Sequence, residues 1–287
     1  MTKKILITGE NSYIGNQLAE WLDKKPDRYE VQKISVRDDK WKKIDFSTFD
    51  VVVHVAGIAH IKETKKNEIQ YYAINRDLAF NIAKKSRENG VNNFIFLSSM
   101  SVYGKNENEI SFNTLPNPDS YYGKSKFEAE ILINSLVNDY FKVAIMRPPM
   151  IYGKNCKGNY SKIAKLAKHN LVFPNMINKR SMIHIDNLNE LLYLIIKNRD
   201  SGVFLPQNSE YVNTVNLVMY INEIYGKNVM LTNIFNPLIL FLSKKIKILN
   251  KVFGDYVYSK DSSKYSENYE IHNFKESINV TERKRYE

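Results

Sequence analysis

Short apolar runs alternate along the chain with segments in which apolar residues recur at helical spacing. The apolar runs lie near residues 4–8, 31–36, 51–56, 93–98, 142–147 and 203–205. The helical segments lie near residues 14–24, 74–88, 121–138, 159–168 and 186–198. Continuous apolar runs are typical of strands buried on both faces, so the alternation predicts an α/β fold with helices on both faces of a parallel sheet. The stretch from Asp38 to Asp50 is too short for a full helix, so we expect one trimmed crossover.

The first apolar run leads into a glycine-containing turn over residues 8–15 and then into a helix. In this arrangement, the turn and the helix N-terminus hold the diphosphate of a dinucleotide. Gly9 permits the tight turn and Gly15 lets the helix pack closely on the sheet, whereas Ser12 stands where a middle glycine is usual. We therefore predict a Rossmann-type doubly wound sheet. An ordinary strand–turn–helix unit is the alternative for this segment taken alone.

Tyr122 and Lys126 are four residues apart in a predicted helix, which places both side chains on one face, one turn apart. We expect the ammonium of Lys126 to lower the pKa of the Tyr122 phenol. Such a phenol can exchange a proton with a sugar hydroxyl or carbonyl near neutral pH, and Ser99 would hold the same oxygen. The three residues predict hydride transfer to or from a carbonyl, with a nicotinamide as carrier. An exposed helical pair is the alternative for Tyr122 and Lys126 alone.

Together, these segments resemble the extended short-chain dehydrogenase/reductases, and within them the nucleotide-sugar epimerase/dehydratase family. The resemblance covers residues 1 to about 210 in collinear order. It rests on the segments 8–15, 45–46, 54–57, 71–76, 94–104, 146–153 and 179–188. Because these segments follow one another in the same order as in the family, chance is a poor explanation of the resemblance.

The resemblance implies catalytic roles for Ser99, Tyr122 and Lys126, a nicotinamide cofactor, and no metal. The cofactor contacts that it implies are made by Thr8, Gly9, Asn11, Ser12, Tyr13, Ile14, Gly15, Ser35, Arg37, Asp45, Phe46, Val55, Ala56, Gly57, Asn75, Tyr122, Lys126 and Pro148. In the family pattern, the pair at 45–46 brackets the adenine and the asparagine at 75 braces the central strands.

The resemblance also implies contacts with a UDP-sugar. The residues concerned are Ser101, Met150, Asn159, Phe173 and Arg180. Arg180 would grip the diphosphate, because a guanidinium matches phosphate geometry. For Asn159 and Phe173, a polar loop residue and a core aromatic remain equally open alternatives.

The end of the second predicted strand bears on the choice of cofactor. An acid there binds the adenosine ribose of NAD, whereas an arginine accommodates the 2′-phosphate of NADP. Our best register places Ser35 at the usual acidic position with Arg37 just beyond it, which favours NADP(H). In the alternative register Asp38 is the ribose acid, and the cofactor is NAD(H).

The residues after Ser99 bear on the reaction. A 4,6-dehydratase typically carries an Asp-Glu pair there, but this chain has Met100 and Ser101, so dehydration is disfavoured. Segments 34–42, 141–153, 157–160 and 251–258 resemble a bacterial capsule-biosynthesis subgroup. Its members reduce UDP-2-acetamido-2,6-dideoxy-4-hexulose to UDP-N-acetylfucosamine or UDP-N-acetylquinovosamine, which favours an NAD(P)H-dependent C4 reductase in surface polysaccharide biosynthesis. A UDP-hexose or UDP-HexNAc 4-epimerase and a catalytically silent nucleotide-binding protein are the alternatives.

The length of 287 residues allows one large domain with a smaller lobe. We expect residues 1–154 with about 186–205 to form the NAD(P)-binding Rossmann domain, and 155–185 with 206–287 to form the substrate-binding lobe. The single cysteine, Cys156, excludes an intrachain disulfide and suits a reducing cytoplasm. We expect no signal peptide, and by resemblance a homodimer formed through the helices near 74–88 and 121–138.

The formal net charge of +11 invites a nucleic-acid interpretation. We predict no nucleic-acid partner, because the lysines look evenly spread and a basic surface also attracts an anionic nucleotide sugar. Residues 234–253 interleave lysines with apolar residues, a pattern that can lie on an anionic membrane. Helices of the substrate lobe are the favoured interpretation, so we expect no stable membrane insertion. On the membrane interpretation, the protein is peripheral to the inner face and a lipid-diphosphate-linked sugar becomes a possible substrate.

Overall fold

The computed structural model describes residues 2–24, 28–59, 61–104, 107–169, 172–243 and 252–283. The strands are β1 (Lys3–Thr8), β2 (Tyr29–Ile34), β3 (Val51–His54), β4 (Asn93–Leu97), β5 (Glu109–Ile110), β6 (Lys142–Met146), β7 (Met150–Tyr152), β8 (Val172–Pro174), β9 (Met182–His184), β10 (Gly202–Phe204), β11 (Met230–Thr232) and β12 (Val257–Tyr258). Six of them form one parallel sheet in the order β10-β6-β4-β3-β1-β2. The predicted Rossmann-type α/β fold is therefore confirmed.

The helices follow the strands in the alternation that the sequence predicts. They are α1 (Tyr13–Asp23), α2 (Glu68–Tyr72), α3 (Ala79–Glu88), α4 (Tyr121–Asn134), α5 (Asn159–His169), α6 (Ile185–Asn198), α7 (Thr214–Ile224), α8 (Asn236–Ser243) and α9 (Phe274–Glu282). A π-helical turn over Ala73–Leu78 joins α2 to α3. The crossover between β2 and β3 contains only the 3₁₀ turns Asp39–Lys43 and Phe46–Thr48, so it is trimmed as predicted. No helix among the described ranges is long and apolar enough to cross a membrane.

Helices cover both faces of the sheet because successive strand residues point to opposite sides. Ile7 of β1 packs in one core cluster with Leu188 of α6. Its neighbour Leu6 packs in a second cluster with Ile82 of α3 and Ile133 of α4. All five side chains are fully buried. Each contributes roughly 1.5–3 kcal/mol through removal of apolar surface from water.

A third core cluster lies among α5, α7 and α9, with the short parallel pairs β7·β9 and β8·β11. Tyr152 anchors it: its hydroxyl lies 2.5 Å from the Ser277 hydroxyl and accepts from the Asn208 amide at 2.8 Å. The segments involved lie on both sides of α6 and β10 in the sequence. The chain therefore crosses between the central sheet and this cluster more than once.

Helix α6 ends at Asn198 and is capped by Arg199, whose backbone is left-handed with φ of 58°. Replacing Arg199 with glycine removes a conformational cost of about 1–2 kcal/mol and adds unfolded-state entropy worth about 0.5–1 kcal/mol. We expect Arg199→Gly to raise the free energy of unfolding by about 0.5–1 kcal/mol in urea denaturation. Arg199→Ala retains the strained backbone and is the control. An equal gain in both variants would mean that the charge, not the backbone, is responsible.

Candidate active site

The catalytic residues predicted from the sequence lie close together just beyond the end of β4. Ser99 begins the 3₁₀ turn Met100–Tyr103, and its hydroxyl accepts from the backbone N–H of Ser101 at 3.1 Å. Tyr122 lies in the first turn of α4, and its phenol forms a side-chain hydrogen bond with Ser99. Lys126 lies one turn later on the same helix. This arrangement is what a proton donor or acceptor at a substrate oxygen requires.

The electrostatics of Tyr122 differ from our expectation. Desolvation raises the pKa of the half-buried Tyr122, and the hydrogen bond with Ser99 opposes that rise only in part. Lys126 donates from Nζ to the carbonyl oxygen of Leu97 at 2.8 Å, and burial lowers the Lys126 pKa to about 8. The expected lowering of the Tyr122 pKa by Lys126 is therefore wrong. The Lys126 ammonium lies at the Leu97 carbonyl and does not contribute to the Tyr122 shift.

A buried ion pair lies beneath these residues. Glu130, one turn beyond Lys126, accepts from Nε of Arg147 at 3.0 Å and from Nη2 at 2.5 Å. The Ser98 hydroxyl donates to the same carboxylate, and Nη1 of Arg147 donates to the Tyr103 hydroxyl at 2.6 Å. Glu130 is 3% exposed and Arg147 is 8% exposed. The network ties α4 to the ends of β4 and β6, and the end of β4 leads into Ser99.

Neither Glu130 nor Arg147 is among the residues that we predicted from the sequence. One signal was available, because Tyr122, Lys126 and Glu130 follow one another at four-residue spacing and so share a helix face. The pairing with Arg147 is a contact between distant parts of the chain, which helical spacing cannot reveal. Glu63 was also missed: its carboxylate accepts from the backbone N–H of Tyr122 at 3.1 Å and so caps α4.

The glycine turn after β1 approaches the end of β3 closely. Gly9 has φ of +93°, and a Cβ there would lie 3.2 Å from the backbone of Ala56. A Cβ on Gly15 already meets Val55 at 3.1 Å. Ser12, in place of the usual glycine, is the N-cap of α1 and accepts from the Gly15 N–H at 3.3 Å. The turn thus keeps a tight backbone and an exposed helix start, which fits the diphosphate of a dinucleotide.

Four other residues of this turn, which we predicted to contact the cofactor, differ in their exposure. The Thr8 hydroxyl is buried and lies 2.7 Å from Nδ1 of His54, so its side chain joins β1 to β3. Asn11 is exposed and Ile14 is half-buried. The Tyr13 hydroxyl is buried without a hydrogen-bond partner and would be 2.7 Å from a Cβ on Gly153. Of these four residues, Thr8 is fully buried, whereas Asn11, Tyr13 and Ile14 leave part of their surface open toward solvent or a ligand.

Asn75 fastens the segment after β3 to α4. Its amide accepts from the Ile58 N–H at 2.9 Å, donates to the Ile58 carbonyl at 3.0 Å and donates to the Ser125 hydroxyl at 3.2 Å. A Cβ on Gly57 would lie 2.9 Å from Oδ1 of Asn75 and 3.3 Å from Nζ of Lys126. The structure therefore brings the predicted cofactor residues of this segment directly against Lys126. Pro148 joins the same region, since its carbonyl accepts from the Met100 N–H at 2.9 Å.

The end of β2 lies beside the glycine turn, because the Ile34 carbonyl accepts from the backbone N–H of Gly9 at 2.9 Å. The Ser35 hydroxyl accepts from the Arg37 N–H at 3.4 Å. Arg37 is exposed, and no described residue forms an ion pair with it. Asp38 caps the following 3₁₀ turn and pairs with Lys40 at 3.4 Å, so its carboxylate already has local partners.

The pair predicted to bracket adenine separates in the structure. Asp45 is exposed; hydrogen bonds from the Ser47 side chain and backbone lower the pKa of its carboxyl. The Phe46 ring is fully buried in the core. Any contact of Phe46 with an adenine would therefore have to come from its backbone, and the side chain acts in packing.

Arg180 is a half-buried cation without a carboxylate partner among the described residues. Its Nη1 donates to the Gly254 carbonyl at 3.0 Å, and its Nε is buried without a hydrogen-bond partner. Burial lowers the pKa of Arg180, opposed by Tyr256 and Asp255. A guanidinium with a buried N–H that has no acceptor can still bind an anion. This geometry is compatible with the diphosphate role that the resemblance implies.

The other residues that we predicted to contact the substrate range from exposed to fully buried. Ser101 is half-buried beside Ser99, with the two hydroxyl oxygens 3.2 Å apart, and Met150 is half-buried in β7. Asn159 is exposed at the start of α5. The Phe173 ring is 3% exposed and packs on Phe253 in the third core cluster, as in the core-aromatic alternative. Phe173 is thus not placed to offer its ring to a ligand.

One group of possible metal ligands lies outside this site. Donor atoms of His184, Asp186 and His272 lie within 4.8 Å of one another. Nδ1 of His184 already accepts from the Asp186 N–H at 3.3 Å, and Nε2 of His272 lies 3.1 Å from Asp186. These contacts cap the N-terminus of α6 and hold the segment before α9 against it, a structural role that needs no ion.

Comparison with known proteins agrees with this architecture. The model of the NAD dependent epimerase/dehydratase family matches residues 5–205. The chain is 31% identical over 246 residues to UDP-glucose 4-epimerase of Vibrio cholerae, covering 76% of this chain and 74% of that protein. It is 27% identical over 273 residues to N-acetyl-alpha-D-glucosaminyl-diphospho-ditrans,octacis-undecaprenol 4-epimerase of Escherichia coli O157:H7, covering 88% and 82%.

Solved structures show the same fold. UDP-glucuronic acid 4-epimerase from Bacillus cereus, in complex with UDP-glucuronic acid and NAD, superposes with a TM-score of 0.74 at 20% identity, covering 96% of this chain and 97% of that one. The dTDP-4-dehydrorhamnose reductase from Bacillus anthracis, in complex with NADP, gives a TM-score of 0.65 at 22% identity, covering 80% and 83%. An epimerase and a reductase thus share this scaffold, so the fold does not distinguish them.

The ion pair beneath the site makes a testable prediction. Glu130→Gln preserves side-chain size but leaves Arg147 buried without an anion. We expect the free energy of unfolding, measured in urea, to fall by about 3–5 kcal/mol. The double variant Glu130→Gln/Arg147→Met removes both charges and should recover most of that loss. If the double variant loses as much as the two single variants combined, the two side chains do not act as a pair.

Proposed function

The chain belongs to the NAD dependent epimerase/dehydratase family, and from this premise we propose that it is an NAD(P)H-dependent C4 reductase of a UDP-sugar. The proposed substrate is UDP-2-acetamido-2,6-dideoxy-4-hexulose, and the products UDP-N-acetylfucosamine or UDP-N-acetylquinovosamine would serve surface polysaccharide biosynthesis. The observation that carries the proposal is the contact between Ser99 and Tyr122, with Lys126 one turn away and Gly57 against it.

The residues divide the chemistry among them. When bound, a reduced nicotinamide supplies the hydride that the C4 carbon accepts. Ser99 holds the C4 carbonyl oxygen, and Tyr122 donates its phenolic proton to that oxygen as it becomes an alkoxide. Lys126 would bind the nicotinamide ribose from its place beside Gly57 and Asn75. The product is the 4-hydroxyl sugar, with one hydride and one proton added.

The raised pKa of Tyr122 supports the reductive direction. A reductase must begin with a protonated phenol, whereas oxidation of a sugar hydroxyl must begin with a base. Desolvation, opposed in part by the Ser99 hydrogen bond, favours the protonated form. Dehydration is disfavoured because this chain has Ser101, which has no carboxylate, where a dehydratase carries an acid. The backbone N–H of Ser101 donates a hydrogen bond to the Ser99 hydroxyl.

A UDP-hexose or UDP-HexNAc 4-epimerase is the second candidate. It is favoured by the two relatives from Vibrio cholerae and Escherichia coli, both of which are named as 4-epimerases. The Escherichia coli relative is named for a diphospho-undecaprenol substrate, so a lipid-linked sugar is included in this second candidate. An epimerase keeps its NAD and returns the hydride to the same sugar, so it consumes no reductant.

The proposal includes the binding arrangement. Arg180 would hold the substrate diphosphate, and residues 155–185 and 206–287 would form the substrate-binding lobe. The cofactor would be NADP(H), with the 2′-phosphate near Arg37. We further propose a cytoplasmic homodimer that uses α3 and α4, and α4 carries an outward Ile131 with 55% of its surface exposed.

The first test follows nicotinamide absorbance with purified protein, NADPH or NADH, and an enzymatically prepared UDP-4-keto-6-deoxy-HexNAc. We expect stoichiometric oxidation of the reductant. Tyr122→Phe should lower kcat by about 10²–10⁴-fold because the proton donor is lost, with reductant binding retained. Tyr140→Phe, at a tyrosine that is 84% exposed, is the matched control. No oxidation, together with NAD released on denaturation and interconversion of UDP-HexNAc epimers, would establish the epimerase instead.

The cofactor assignment makes a separate prediction. Arg37→Ala should raise the KM for NADPH by about tenfold to a hundredfold, the effect of losing a hydrogen bond to a charged group, and leave the KM for NADH nearly unchanged. Lys43→Ala removes a nearby exposed cation and controls for the general loss of charge. A wild-type preference for NADH, or equal effects of Arg37→Ala on both cofactors, would contradict NADP(H).

A further inference from the structure

We propose that the protein docks on an anionic phospholipid bilayer through one apolar face. The face consists of Val172, Ile177, Met230, Ile234, Phe235 and Leu238, which are 42%, 89%, 64%, 83%, 48% and 56% exposed. This inference concerns a surface and not the reaction, so it does not depend on the proposed function.

Hydrogen bonds join the elements of this face into one surface. Strands β8 and β11 pair in parallel, with Val172 opposite Met230. The loops that follow them are fastened at Asn175, whose N–H donates to the Thr232 carbonyl at 2.9 Å and whose carbonyl accepts from the Asn236 amide at 2.8 Å. Asn236 is the first residue of α8. The exposed side chains therefore belong to one tethered patch and not to independent loops.

Strand alternation explains why this side is apolar yet exposed. Phe173 and Leu231, the next pair along β8 and β11, point inward to the third core cluster. Val172 and Met230 must then point outward. Helix α8 adds Leu238, and its eight residues, NPLILFLS, include no charge. A strand pair or helix at the protein surface needs an apolar side only toward the core. Here the side toward water is apolar as well, which is typical of an interaction surface.

The charge around this face identifies the partner. The basic residues are less evenly spread than the composition suggests. Between residues 148 and 185 the chain has seven lysines and arginines and no acid, and between 225 and 254 it has five lysines and no acid. Lys162, Lys165 and Lys179 are exposed on the described parts of these segments. Lys179 follows Ile177 by two residues and the exposed Lys227 precedes Met230 by three, so cations flank the face. An apolar patch flanked by cations matches the interface of an anionic bilayer, where apolar side chains insert and cations meet headgroups.

The same charges disfavour a second copy of the chain as the occupant. Apposing two such faces would bring two sets of cations together, and like charges across an interface are repulsive. Lys244, Lys245, Lys247 and Lys251, part of the basic segment at 234–253, follow α8 in sequence and lie outside the described residues.

The test is co-sedimentation of the full chain with phosphatidylcholine vesicles and with equimolar phosphatidylcholine/phosphatidylglycerol vesicles. We expect binding to the anionic vesicles only. Leu238→Glu should weaken that binding about tenfold or more, because it replaces an inserted side chain by a repelled carboxylate. Leu115→Glu, at a leucine that is 83% exposed outside the face, is the matched control and should change binding little. Nicotinamide turnover in solution should be the same for all three proteins.

A second measurement identifies the inserted surface directly. Phe235→Trp should show a blue-shifted emission on anionic vesicles, against the unchanged background of the two native tryptophans. Absence of sedimentation at low ionic strength would overturn the proposal. Equal losses in Leu238→Glu and Leu115→Glu would overturn it in favour of unspecific attraction to polyanions. Conversion of a dimer to a monomer by Leu238→Glu, without vesicle binding, would identify a second copy as the occupant.

Discussion

The need to satisfy buried charge on α4 governs the geometry of this protein. Lys126 and Glu130 share a helix face and are almost removed from water. An unpaired charge in that position would cost several kcal/mol. The partners that satisfy them are the Leu97 carbonyl, the Ser98 hydroxyl and the Arg147 guanidinium, all near the ends of β4 and β6. The contacts that satisfy these charges therefore also fix how close α4 stands to Ser99.

This arrangement also determines the protonation of the site. Nζ of Lys126 donates to the Leu97 carbonyl, and Lys126 makes no contribution to the pKa shift of the Tyr122 phenol. Desolvation then dominates, and the Tyr122 pKa rises. The four-residue spacing that places Tyr122 and Lys126 on one helix face is compatible with either a raised or a lowered Tyr122 pKa. The direction depends on where Nζ points, which is set by strand β4 and not by α4.

The sequence predicted most of the fold and the close placement of Ser99, Tyr122 and Lys126 because both follow from local periodicity. Apolar runs and helical spacing identify the strands and helices of the sheet, and a four-residue interval identifies Tyr122 and Lys126. Contacts between distant segments were not predictable in this way. The Glu130–Arg147 pair and the burial of the Phe46 and Phe173 rings depend on which elements pack together, and no local pattern carries that information. For the same reason, a motif position indicated where Phe46 lies but not which way its ring points.

The two parts of the chain use charge in opposite ways. Around the central sheet, the deeply buried charges Lys126, Glu130 and Arg147 each have a partner. The segments 148–185 and 225–254 contain lysines and no acid, and the exposed ones among the described residues are Lys154, Lys157, Lys162, Lys165, Lys179 and Lys227. Such an accumulation destabilises a folded surface through self-repulsion unless an anion offsets it. One diphosphate at Arg180 could neutralise only the charges near it, whereas an extended anionic surface offsets them all. The charge distribution is therefore the common basis of two proposals, a diphosphate bound at Arg180 and a bilayer bound at the apolar face.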